Sequence, residues 1–146
     1  MERSDRVKIT LKWIQILDKL EPFYKERGEF RFKARVSTPD GRVLSETTLP
    51  KEGHLEISDR PGWNRVTLDE VVFEGQPGAE GLVVEFTGEE LDTLSANDRL
   101  DHYRREFTGP PSSWVGWYGP GDETQVRPED PENMSKWRVC YTIEQV

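Results

Sequence analysis

A single cysteine, Cys140, leaves no internal disulfide to hold this chain together. It lies in the run "KWRVCYTIEQV", between Val139 and Tyr141. A reactive thiol wants a basic neighbourhood and a histidine partner. The only two histidines, His54 and His102, lie far from it in sequence, so a structural thiol in a reducing compartment is expected. Their scarcity also excludes a His-x-x-x-His metal pair, and no Gly-x-Ser-x-Gly elbow or glycine-rich phosphate loop is present. Nothing of signal-peptide length opens "MERSDRVKIT", and no apolar run approaches a membrane span, which predicts a cytoplasmic protein. Clustered basic residues are missing too. The formal net charge is -8, which argues against nucleic acid as the main partner and favours metal cations or basic protein surfaces.

What is present is aromatic. Hydrophobic residues are 34% of the chain and charged residues 33%, but five Trp, six Phe and four Tyr compensate because each ring buries a large apolar area. The 146 residues fit one domain, spanning 1–146, which needs no disulfide or metal staple to fold.

Period-two alternation dominates, and no long helical stripe occurs. Val7, Ile9, Leu11 and Trp13 share one parity, then Ile14 and Ile16 take the other, predicting a bulge in the first strand. Phe30, Phe32, Ala34 and Val36 alternate with Arg31, Lys33 and Arg35 in a half-buried strand. "STPDGR" then reverses the chain. Strands are expected near Val43–Leu49 and His54–Ser58, in "NRVTLDEVVFEG" and in "LVVEF". The last strand turns Trp137, Val139, Tyr141 and Ile143 to one face. Seven or eight short strands separated by turns predict an all-β antiparallel sandwich. A long irregular stretch, about 87–135, precedes the last strand; a short strand or a helical turn is expected to interrupt it, and "SANDRLDHYRRE" is compatible with about two helical turns capped by Ser95 or Asn97.

Carboxylates carry the functional signal. Between Glu85 and Asp101 lie Glu85, Glu89, Glu90, Asp92, Asp98 and Asp101, with Arg99 the only base among them. Such density repels itself unless a cation or basic partner neutralises it, and calcium, which takes six to eight oxygen ligands, suits it best. The first connection adds Asp18, Glu21 and Glu26 before Glu29. If both segments share one end of the sandwich, Asp18 and Glu29 face Glu90, Asp92 and Asp98.

Three segments resemble C2 domains, sandwiches that bind calcium between loops at one end. They are the acid-bearing first connection ending in "GEFRFKARV", the "RPGWNRVTLDEVVFEG" segment, and "LVVEFTGEELDTLSANDRLDHY". The resemblance spans roughly Val7 to Tyr103 and implies an eight-stranded C2-like fold. It implies a metal set of Asp18, Glu29, Glu90, Asp92 and Asp98, with Glu21, Glu89 and Asp101 in reserve. One Asp and several Glu in the first connection, where calcium-binding members present two Asp, depart from the pattern.

Aromatics beside the loops are the candidate partner surface: Phe23 and Tyr24 in the first connection, and Trp114, Trp117 and Tyr118 in "SSWVGWYGPGD". The bland alternative is that Trp114–Tyr118 folds back and plugs one end of the sandwich. A binding module, not an enzyme, is the expectation. A metal-independent protein-interaction subunit and a carbohydrate-binding sandwich using Trp114 and Trp117 stand as alternatives, with membrane contact only through bridging calcium.

Overall fold

A computed structural model describes residues 6–16, 27–58, 65–77, 80–90, 98–99, 102–118 and 137–146. The chain is all-β: two antiparallel sheets pack face to face. Ten strands occur among the described residues: β1 Val7–Ile16, β2 Arg27–Ser37, β3 Val43–Leu49, β4 Leu55–Ser58, β5 Arg65–Gly75, β6 Leu82–Glu90, β7 Asp98–Arg99, β8 Tyr103–Phe107, β9 Gly116–Tyr118 and β10 Trp137–Gln145. Eight of them have four residues or more, in line with the expected eight-stranded sandwich; β7 and β9 are two- and three-residue additions.

One sheet runs β5-β1-β10-β9 and the other β3-β2-β6-β7, with β4 also on β2 and β8 also on β6. The parity switch in β1 is a bulge: its register against both β10 and β5 slips between Leu11 and Trp13. One extra residue there puts Leu11 and Ile14, odd and even in sequence, on the same buried side. The turn after β2 closes as its residues dictate. Gly41 takes φ +96°, its N–H donates to Thr38 O at 2.9 Å, and the Thr38 hydroxyl caps the Asp40 carboxylate.

Rings fill the space between the sheets. Phe32 stacks on Trp137 at 5.5 Å, so the start of β10 lies against the early part of β2 in the facing sheet. Further along, Phe86, Tyr103 and Tyr141 meet with centroids 5.3–5.8 Å apart, and the Tyr103 and Tyr141 hydroxyls are 2.6 Å from each other. Trp137 and Tyr141 are essentially unexposed, as the alternation in the last strand predicts, and so is Tyr103 of β8.

The stretch 87–135 is more regular than expected where it is described. Thr87–Glu90 continues β6 along β2, and Tyr103–Phe107 pairs with Phe86–Leu82 as β8, not as helical turns. Tyr103 and Phe107 are buried while Arg104 and Glu106 are exposed, which is strand alternation. Gly81 makes this pairing possible. Its φ is +114°, and a Cβ built on it falls 2.1 Å from the carbonyl oxygen of Phe107.

Candidate functional site

The strand ends that flank three connections (17–26, 59–64 and 91–97) gather at one end of the sandwich, together with Trp137, where the 119–136 connection returns; Tyr118, where that connection leaves, is opposite Tyr141 in the middle of β10. Ile16 closes β1 opposite Trp137, which opens β10; Gln15 is opposite Arg65, which opens β5. In the facing sheet Arg27 opens β2 opposite Ser58, which closes β4, and Phe30 is opposite Glu90, which closes β6. The Phe32–Trp137 stack ties these two sets of ends together. In the connections 17–26, 59–64, 91–97 and 119–136 Asp and Glu outnumber Lys and Arg ten to five.

The strand ends that flank the first connection and the acid-rich segment are neighbours in register: Phe30, near the start of β2, is opposite Glu90 at the end of β6. Glu90 and Asp98 are directly opposed across β6 and β7, and Glu89 is opposite Arg99 on one side and Arg31 on the other. Asp18, Glu21, Asp92 and Asp101 lie outside the described residues, as do Phe23 and Tyr24.

Glu29 keeps different company. It stands one position before Phe30, whose ring is in the core, and opposite Glu56 of β4. Ligating atoms of Glu29, His54 and Glu56 all lie within 4.8 Å of one another, with His54 Nε2 3.8 Å from Glu56 Oε1. His54 is absent from the ligand set expected from the sequence. The signal was there: in a strand, residues two apart share a face, so His54 and Glu56 are a donor pair awaiting a third from the neighbouring strand.

The same outer face of β2 carries Arg31, Lys33 and Arg35 along an open groove of about 550 Å³, whose other walls include Thr48, Glu85, Thr87, Glu89 and His102. Its charges are largely matched. Arg35 Nε donates to Glu46 at 3.0 Å, Lys33 sits 3.6 Å from the same carboxylate, and His102 Nε2 is 2.7 Å from Glu85. The Arg35 hydrogen bond, aided by Lys33, holds the Glu46 carboxyl below its ordinary range.

The aromatic segment divides. Trp114 is 3% exposed, packs on Phe107 at 6.0 Å, and donates its indole N–H to Thr108 O. As it sits, it offers no ring face to a partner. Tyr118 is half-buried, stacked on Tyr141 at 5.2 Å with the Arg105 guanidinium 4.8 Å from its ring centre, and its hydroxyl donates to Trp114 O. This part of the loop plugs the sandwich, as the bland reading held. Trp117 alone stays out, 56% exposed on the edge strand β9.

On the outer side of the other sheet, Cys140 lies opposite Trp13, whose ring carries the Arg65 guanidinium 4.2 Å away. The thiol is fully covered, and burial pushes its pKa up to about 12 against the weaker opposing pull of Arg65 and Lys12. An inert structural thiol is what the sequence predicts.

No helix among the described residues is long and apolar enough to cross a membrane. No protein-family model and no curated protein matches the sequence.

Proposed function

We propose that the chain is a non-catalytic, C2-like binding module whose acid-rich end takes up calcium. The observation that supports this reading is the register that sets Phe30 beside Glu90 and Glu90 beside Asp98. It brings the strand ends that flank the first connection next to those that flank the 91–97 segment. Asp18, Glu90, Asp92 and Asp98 are the ligands of this reading, with Glu21, Glu89 and Asp101 in reserve; Glu29, also in the expected set, is set aside from it because it stands opposite Glu56 and beside His54. Several carboxylates close in sequence suit an ion that accepts six to eight oxygens without strict geometry. Bound calcium would relieve their mutual repulsion and stabilise the native state by mass action.

The test is a thermal melt. Calcium at a hundredfold excess over its Kd adds about 2.7 kcal/mol, which for a domain of this size raises Tm by roughly 5–10 °C. A chelator reverses the shift and Asp92→Asn reduces it. An unchanged Tm in millimolar calcium sinks the proposal.

A metal-independent contact surface is the second reading, favoured by Trp117 standing exposed on an edge strand with Val115, 50% exposed, close by in sequence. Self-association or partner capture that ignores chelator and disappears in Trp117→Ser would support it over calcium.

A further inference from the structure

Outside the acid-rich connections, one cluster of ligating side chains belongs to the folded sheet itself. β4 hydrogen-bonds to the early part of β2, and its inward residues are Ile57, buried, and Leu55, packed against the core. Strand alternation then turns His54 and Glu56 to the outer side. Glu29 has the same parity on β2, one position before the buried Phe30, and is in direct register with Glu56. Two carboxylates opposed across neighbouring strands repel each other. Arg31, the next outward residue along β2, directs Nε and Nη2 to the carbonyl of Gly53 at 3.3 and 3.2 Å. That contact fixes the residue immediately before His54 and so steadies the turn that delivers the imidazole.

We propose that Glu29, His54 and Glu56 form a cation site of the zinc class, separate from the calcium reading above. The donor set decides the class. An imidazole nitrogen with two carboxylate oxygens suits zinc and its d-block neighbours, whereas calcium and magnesium prefer oxygen alone. Geometry agrees. Zinc bonds of about 2.0–2.1 Å in a tetrahedron hold donors roughly 3.3–3.4 Å apart. The 3.8 Å between His54 Nε2 and Glu56 Oε1, and the 4.8 Å limit on the whole set, lie within small side-chain rotations of that. Three protein ligands leave a fourth position open to solvent. Cys140, the usual rival for zinc, is covered on the other sheet.

Titration calorimetry of the whole chain with zinc chloride, paired with the visible absorption of added cobalt(II), tests this. One ion per chain with micromolar affinity is expected. His54→Gln and Glu56→Gln should each weaken binding tenfold or more and remove the cobalt bands, while His102→Gln leaves both unchanged. These side chains are at the surface, and an unaltered thermal melt of each variant without metal confirms that its fold is kept. Asp92→Asn should spare zinc while weakening calcium, so either reading can fail alone. Absence of zinc binding overturns the proposal. So does zinc binding that His54→Gln leaves intact, or that every variant reduces alike, which would mark an adventitious ion only.

Discussion

Replacing Cys140 with alanine makes the protein's stability in alkali report on one buried thiol. The sulfur is fully covered, and its pKa is pushed from an ordinary 9.0 up to about 12 by burial. As pH rises past 9.0, the unfolded chain gives up the thiol proton while the folded chain keeps it. Stability must therefore fall with pH across the window from 9.0 to about 12. One full unit of pH in that window costs about 1.4 kcal/mol, and the loss between pH 8 and pH 10 is also about 1.4 kcal/mol. Cys140→Ala has no such titration, but the small cavity it leaves costs about 1 kcal/mol at any pH. Urea unfolding at pH 8 should find the variant weaker by that amount, and at pH 10 the two proteins should be nearly equal. A thiol-reactive dye should fail to label the native protein at pH 8 and label it fully in urea. A stability gap that stays constant between pH 8 and pH 10, or rapid native labelling, refutes the reasoning.

Gly81→Ala should destabilise by about 3 kcal/mol or more, because a positive φ and a Cβ against the Phe107 carbonyl add their costs, and a loss under 1 kcal/mol in urea would contradict that. Glu46→Gln should flatten the acid limb of stability. A carboxyl held low by Arg35 contributes above its unfolded value of 4.5 and stops contributing as pH falls through its lowered folded value, so paired melts at pH 7 and pH 3 should converge. Trp117→Ala should leave stability within about 0.5 kcal/mol while removing a solvent-exposed, red-shifted part of the Trp fluorescence.

The fold was largely legible because alternation and turn chemistry act locally. The β1 bulge, the β2 stripe of Phe30 to Val36 and the inward face of β10 each follow from neighbouring residues. β8 stayed open between a short strand and a helical turn for a specific reason. Tyr103 and Phe107 are four apart, a spacing that one face of a helix and one face of a strand both accept. Only the pairing of Tyr103 with Phe86, seventeen residues back, decides between them. Thr87–Glu90 hid because Gly88 stands at the core position opposite Phe32, where no apolar side chain marks the strand. The site was legible as a dense run of acids and much less so as a geometry. That Glu29 joins His54 and Glu56 depends on cross-strand register between segments 27 residues apart, which a linear reading does not contain.

Arg6 and Val146 sit side by side, joined by the hydrogen bond from Val146 N–H to Arg6 O at 2.9 Å, with Val7 opposite Gln145. The ten residues of β1 separate that pair from the acid-rich end, about 33 Å at strand rise. A support or fusion partner attached by a short linker to Val146 therefore sits a strand's length from Ile16 and Trp137, at the end of the sandwich opposite the attachment. Bridging Val146 back to Arg6 and reopening the chain at the turn after Thr38 would yield a circular permutant whose new ends lie at the far end of β2 from Arg27.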